Sequence, residues 1–324
     1  MPSMRPRWTI DAKGHAGHAI EFSPTGDSLY ISDGWGNYTY ASTQVRRIDL
    51  AGGNELVSAR LGNSARCWAF ALNGTEAIVA TDTTKLFRLD RTTLKQKERW
   101  DRRVPRWPGD IVWRGTQVAM GGWGRPYVAV FDLGSGHVKR LASGTWPLLA
   151  EVMSDILVMA ADSGNVYRLQ LPEGNLVCLF STPRVAACAF DVEGGSLWLL
   201  LGQRQIVTTQ PNVVSVSRPT SHRLRRYDLA SGVFEESRLQ QPCNALSAGG
   251  GVLWAYPIEN PLSRLRQPYT THQLSIAGSG VESNVPMPPG HTIIAMSQQA
   301  GVVITSHDAE PTPGTCRISC LEIS

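Results

Sequence analysis

The chain repeats itself about every forty residues, and a period of that length limits the possible folds more than any single motif does. The landmark is an apolar run that ends in an acidic or amide side chain. It occurs as VRRIDL (Asp49), LFRLD (Asp90), VAVFDL (Asp132), VYRLQL (Gln170), LRRYDL (Asp228), THQL (Gln273) and CLEI (Glu322). The spacings are 41, 42, 38, 58, 45 and 49 residues. Seven units result, with extra length in the fifth and, more mildly, the sixth and seventh.

Each unit has the same internal order. An apolar segment comes first (AIEFS, CWAFA, DIVW, LLAEV, AACAF, ALSA, TIIAMS), then a polar or glycine-containing turn such as PTGD at 24–27 or EGGS at 193–196. A second apolar run follows (SLYIS, AIVAT, QVAMG, ILVMA, SLWLL, VLWAY, VVITS), then a variable loop, the landmark run, a turn and a more polar run. The runs are short, rich in Val, Ile, Leu and aromatics, and bounded by turn residues, so they are strands. No segment sustains helical periodicity for three turns. One four-stranded sheet cannot bury both its faces, but a ring of such sheets buries each face against a neighbour. The expected fold is all-β: one domain over 1–324, a seven-bladed β-propeller with four antiparallel strands per blade. The blades span approximately 17–62, 65–104, 109–143, 147–182, 185–239, 243–285 and 290–324 plus 6–11. The last blade needs 6–11 because CRISCLEIS at 316–324 fits only a third strand. An N-terminal strand around RWTI (Arg7–Ile10) pairing with 315–323 would complete it and close the ring.

GHAIEFSPTGDSLYISDG, with Gly17–His18 and FSPTGDSLY at 22–30, resembles the first half of a tryptophan-aspartate (WD) repeat. It also resembles the YVTN-like repeats of bacterial surface and lactonase-type propellers. GHTIIAMSQQAGVVITS at 290–306 echoes it. The resemblance covers the chain as a seven-fold pattern and implies a fold. The Gly-His pair occurs at only two inter-blade positions, and the Trp-Asp pair is replaced by Ile-Asp, Leu-Asp, Phe-Asp or Tyr-Asp. His18 and His291 are each expected to hydrogen-bond within their own blade.

Composition narrows the function classes. Hydrophobic residues make up 42% and charged residues 18%, with 31 Gly and 20 Pro, which is a turn-rich globular chain and not a disordered one. The net charge of +4 is too small for this length to imply general affinity for nucleic acid or membrane. Of 31 basic residues only five are Lys, a bias that points to a GC-rich, bacterial genome. No run reaches the ~18–20 apolar residues of a membrane span. The N-terminal segment lacks the uninterrupted apolar stretch of a secretory signal. A cytoplasmic location is the expectation. The six cysteines show no metal-binding spacing, and Cys316 and Cys320 would stand about 13 Å apart along a strand, too far for a disulfide. Reduced thiols are expected.

Two segments set Trp between glycines: DGWGNY at 33–38 and GGWGRPY at 121–127. Both fall in the loop between second and third strands, in units one and three. Trp35 and Trp123 either cap their own blades or stand on the rim as anchors for a partner. The inter-blade connections lie on the same face, called the top. They are expected to bring Arg66, Arg106, Trp107, Trp146, Arg184, Asn244 and His291 around the central channel on this face. Arg125, Tyr127 and Arg204 join them from the loops. Long loops at 202–222, 257–270 and 307–314 share this face, and long loops on a rigid ring carry function. Turn-opening Asp33, Asp82 and Asp162 are read as bonding their own backbone.

No catalytic, cofactor or metal residue is assigned. His15 and His18 would face opposite ways on an extended segment, and His307–Asp308 lacks a partner nucleophile; no GxSxG or GxxxxGK occurs. The acids Glu21, Asp110, Glu151 and Asp191 are candidate channel ligands without an assembled site. The expected function is a non-catalytic protein–protein interaction scaffold, a subunit of a larger bacterial hetero-complex. It would bind a protein or peptide through its Trp- and Arg-rich top face and loops 202–222 and 257–270. The alternatives are a lactonase- or lyase-like enzyme acting on a small molecule at the channel mouth, and a nucleic-acid-binding accessory protein.

Overall fold

A computed structural model describes residues 4–13, 20–32, 44–62, 65–81, 83–101, 105, 108–122, 125–144, 147–152, 155–160, 163–191, 194–202, 205–210, 213–217, 220–243, 245–249, 252–256, 273–278, 281–286, 288, 291–297, 300–308 and 315–323. Its strands pair antiparallel. β1 (Met4–Lys13) precedes the first blade, which is β2 (Glu21–Phe22), β3 (Ser28–Ser32), β4 (Gln44–Asp49) and β5 (Glu55–Arg60). Blade two is β6 (Ala65–Phe70), β7 (Glu76–Thr81), β8 (Leu86–Asp90) and β9 (Gln96–Trp100). Blade three is β10 (Pro108–Arg114), β11 (Gln117–Gly122), β12 (Tyr127–Asp132) and β13 (Val138–Ala142). Blade four is β14 (Pro147–Val152), β15 (Asp155–Ala160), β16 (Asn165–Gln170) and β17 (Asn175–Ser181). Blade five is β18 (Val185–Asp191) and β19 (Ser196–Leu201), then, after β20 (Gln205–Gln210) and β21 (Val213–Ser217), β22 (Ser221–Asp228) and β23 (Phe234–Cys243). Blade six is β24 (Ala245–Gly249), β25 (Val252–Tyr256), β26 (Gln273–Gly278) and β27 (Val281–Pro286). The chain ends with β28 (Thr292–Ser297), β29 (Val302–Asp308) and β30 (Thr315–Ile323).

The expected count of seven blades needs correction. Six sheets of four strands are complete blades of contiguous chain. The last unit supplies only β28–β29–β30 and becomes four-stranded by taking β1 onto its edge, so this sheet is a composite of both chain ends. An eighth sheet, β20–β21, has two strands and belongs to no blade. The landmark spacing counts third strands, so it scores an incomplete terminal unit as a blade and cannot see strands inside an insertion.

The landmark acid is a turn former. Asp49, Asp90, Asp132 and Asp228 each accept backbone N–H bonds through their carboxylates, for example Gly52 N to Asp49 at 2.7 Å and Ser135 N to Asp132 at 2.7 Å. The same turn closes with an i+4 backbone bond from Gly53, Leu94, Gly136, Gly174 and Gly232. All five adopt positive φ. Leu94 is the exception to glycine, and its side chain is buried in the core between blades one and two. These backbone bonds hold the Asp90, Asp132 and Asp228 carboxyls below the usual carboxylate range.

Alternation along the second strands builds the ring. Ala77 and Val79 of β7 pack toward blade one, while Ile78 and Ala80 pack toward blade three. Trp198 and Leu200 of β19 face blade six, while Leu197, Leu199 and Leu201 face blade four. Both faces are covered, so these strands read as unbroken apolar runs. Among the described residues, six apolar clusters join neighbouring sheets.

The seam is the composite sheet. β1 pairs with β30 over its whole length, with Trp8 opposite Cys320 and Ile10 opposite Ile318. Trp8 is 8% exposed and joins Leu29, Ile31 and Ile48 of blade one to Val302, Ile304 and Ile318 of the composite sheet. Its indole N–H donates to the Leu50 carbonyl at 2.8 Å. A Cβ at Gly53 would stand 2.6 Å from the Trp8 ring, so glycine lets the blade-one turn lie flat against it. The six cysteines form no disulfide. No helix among the described residues is long and apolar enough to cross a membrane. Trp8→Ala removes a buried indole at the join, and a loss of about 3–5 kcal/mol is expected. Urea unfolding followed by tryptophan fluorescence checks it.

Candidate functional site

In every blade the loop from second to third strand and the connection to the next blade emerge on one face, the top. The β20–β21 hairpin belongs to this face, because it interrupts the β19-to-β22 loop. The expectations at Trp35, Arg106, Trp107, Trp123, Trp146, Arg204, Asn244 and His18, at Asp33, Asp82 and Asp162, and over 257–270 fall on residues outside those described.

The glycines before Trp123 have a packing reason. A Cβ at Gly121 would stand 2.3 Å from the Pro147 carbonyl oxygen of blade four, and one at Gly122 would stand 2.7 Å from Pro105 Cβ. The end of β11 is wedged between the start of β14 and the connection at Pro105, with no space for a side chain. It fixes the start of the tryptophan loop against both neighbours. From there Arg125, whose N–H bonds the Gly122 carbonyl at 3.2 Å, is exposed. Tyr127 is half-buried under the Arg140 guanidinium, 5.5 Å from its ring centre. Arg184 is exposed, and its carbonyl accepts the Gly202 N–H at 3.1 Å. Arg66 differs: it lies on the inner strand β6 at 8% exposure and is part of the wall and not of the rim.

Three of the four candidate channel acids are bound into the scaffold. Asp110, on inner strand β10, accepts Ile111 N–H at 3.0 Å and, across the blade boundary, Leu149 N–H at 2.8 Å. Glu151 pairs with Arg114, and Asp191 accepts Gly194 N–H at 2.9 Å. Glu21, on β2, keeps contact with water while protein crowds around its carboxyl. That confinement, with the Asp110 charge second, pushes its carboxyl from 4.5 up to about 7. Burial likewise raises Asp110 to about 6. Cys67, buried beside these acids, has its thiol pushed well above the ordinary value by burial and then by Asp110. Among the described residues no group of three or more His, Cys, Asp or Glu could hold a metal ion.

One side-chain group was not anticipated. His291 and His307 stack with ring centres 4.2 Å apart. Nδ1 of His291 shares a hydrogen bond with Thr305 Oγ1 at 2.8 Å, so this histidine does bond within its own sheet. Nε2 of His307 shares one with Ser319 Oγ at 3.1 Å, which in turn bonds Thr9 Oγ1 of β1 at 2.8 Å. With Asp11 and Arg317 they line an open groove of about 670 Å³ over the seam. The register of the β28–β29 hairpin, Thr292 opposite Ser306, could have revealed the pair, because it sets positions 291 and 307 opposite each other. Burial, with His307 second, depresses His291 from 6.5 to about 4.

No protein-family model matches the chain, and no curated protein matches it by sequence. Solved structures do. The Neurospora crassa Pan2 WD40 domain superposes with a TM-score of 0.67 at 9% identity, over 98% of this chain and 95% of that one. The structure of U3-55K gives 0.64 at 8%, over 97% and 99%. The RRP9 WD40 repeats give 0.63 at 9%, over 98% and 100%. The fold is a WD-repeat-like β-propeller; the lactonase-type likeness gains no support from these neighbours.

Of the shifted groups, Glu21 and His291 act on stability with opposite signs. Glu21, raised in the fold, stabilises below its unfolded value and loses that contribution as pH rises from about 4.5 through about 7. His291, depressed in the fold, stabilises above 6.5, and its contribution is lost as pH falls toward about 4. Urea midpoints measured across this range should therefore diverge from wild type at the neutral end for Glu21→Gln, which becomes relatively more stable there. For His291→Gln the relative gain should fall at the acidic end.

Proposed function

We propose that the chain is a non-catalytic protein-binding scaffold, a subunit of a larger assembly, that engages a protein or peptide through its top face. The observation that supports this most directly is the use made of the channel acids. Asp110 spends both carboxylate oxygens on backbone N–H groups of blades three and four, Glu151 is paired, and Asp191 holds a turn. A metal-assisted lactonase needs converging acids free to take a ligand. These acids hold the ring together instead.

What a partner would meet is an exposed Arg125 and Arg184, a braced Tyr127 and the β20–β21 hairpin. Arginine and aromatic side chains on a rigid support suit anchoring contacts. Trp35, Trp123, Arg106, Trp107, Trp146 and Arg204 belong to the same proposed surface by chain position. A WD-repeat-like ring suits this use, because its loops vary while its blades stay fixed.

Nucleic acid is the weaker reading. The basic clusters on the third strands β4 and β22 face acids of the same blade: Arg46 with Glu55, Arg47 with Asp27, Arg223 and Arg225 with Glu236. Paired charges offer phosphates little net field.

The experiment is to purify a partner captured by the wild-type chain and titrate it against variants. Arg125→Glu combined with Arg184→Glu, and separately deletion of 205–217, should each weaken binding by about tenfold or more, the scale of an anchoring contact. Unchanged affinity in both variants would overturn the top-face assignment. A stoichiometric metal in the purified protein would return the enzyme reading to first place.

A further inference from the structure

The outer edges of the sheets differ in one respect. β1 carries Arg5, Arg7 and Asp11; β5 carries Glu55 and Arg60; β9 carries Lys97, Glu98 and Arg99. β13 carries Lys139 and Arg140, β23 carries Glu235, Glu236 and Arg238, and β27 carries Glu282. Charges on an edge strand prevent another chain from adding to it. β17, the edge of blade four, reads NLVCLFS and has none. Val177 is 42% and Leu179 37% exposed, and Cys178 between them is also exposed. β17 has a bulge at Leu179. β5 and β9 have the same bulge at Leu56 and Lys97 and are charged in addition, so the bulge does not replace the missing charges.

The order of residues on this edge says what fits it. Polarity runs symmetrically about Cys178: Asn, Leu, Val, Cys, Leu, Phe, Ser. We propose that β17 pairs antiparallel with β17 of a second copy about a two-fold axis through Cys178. That register sets Asn175 opposite Ser181, Leu176 opposite Phe180, Val177 opposite Leu179, and Cys178 opposite its own copy. An isologous contact shows the same patch to itself. A lone charge near its axis would face its own duplicate, so a charge-free edge is what self-pairing requires. The other six edges would each place charged side chains into such a contact.

The edge is also held ready. Phe180 stacks on Tyr227 of blade five with ring centres 5.0 Å apart, and Tyr227 packs on Phe234 at 5.4 Å, with the Arg225 guanidinium 4.2 Å from the Phe234 ring. The upper half of β17 is thus braced from the adjacent blade, and little ordering remains to be done on pairing. Outer strands lie on the circumference of the ring, so two rings can meet side by side with both top faces open.

The test uses the full chain. Sedimentation equilibrium should show a reversible dimer, and Val177→Lys with Leu179→Lys should raise its dissociation constant at least tenfold without lowering the thermal midpoint. In antiparallel pairs directly opposed Cα atoms lie about 4.5–5.5 Å apart, within disulfide range. Diamide, which takes up the two electrons and two protons as the S–S bond forms, should therefore give a covalent dimer in wild type and none in Cys178→Ser. The reversible dimer should persist in Cys178→Ser. A chain that stays monomeric up to about 100 µM would sink the proposal. So would a dimer indifferent to the two lysines, or one that oxidation does not link through Cys178. Val177 and Leu179 are not among the residues proposed for the top face, so partner titration against this variant separates the two proposals.

Discussion

Every part of this molecule depends on the inability of a four-stranded sheet to hide both its faces. Leu29 and Ile31 need the composite sheet on one side, and Tyr30 needs blade two on the other. The same demand passes from blade to blade until the chain must meet its own beginning. Trp8 answers it, filling the space between blade one and the last three strands and tying its indole to Leu50. Local sheet formation and global closure are one requirement here, because neither the apolar second strands nor the seam could be buried without the other.

That economy extends to the polar residues. The carboxylates at Asp49, Asp90, Asp132 and Asp228 close equivalent turns, and Asp110 bridges two blades. Ser23 and Ser28 gather around Asp27 at the first PTGD turn, and the Ser28 bond holds that carboxyl below its usual range. Burial keeps the Glu21 carboxyl partly protonated near neutral pH and holds His291 neutral down to about pH 4.

Much of the architecture was legible because it rests on local rules repeated many times. The landmark Asp could be read as punctuation since the same four-residue bond recurs. The closing strand could be read because CRISCLEIS lacked a fourth strand and RWTI lacked a sheet. What escaped was set by distances between blades. Arg66 looks like a rim residue in the string SAR, but β6 carries it into the wall. Asp110, Glu151 and Asp191 look like prospective ligands until their backbone and arginine partners are seen. Gly121 looks like part of a tryptophan motif, whereas its lack of a side chain answers to Pro147 in the next blade. The blade count misled because the landmark also marks the last unit, where β28, β29 and β30 make only three strands of a sheet.

The seam has one more consequence. Met4 lies opposite Ile323, at the end of the composite sheet away from the top face. A tag, tether or neighbouring domain joined to either terminus therefore departs from the same underside, and one flexible linker there could splice the termini while a new start is cut between any two blades. Such a rearranged gene would still encode the same wheel, with its rim of loops pointing away from the hub where it is held.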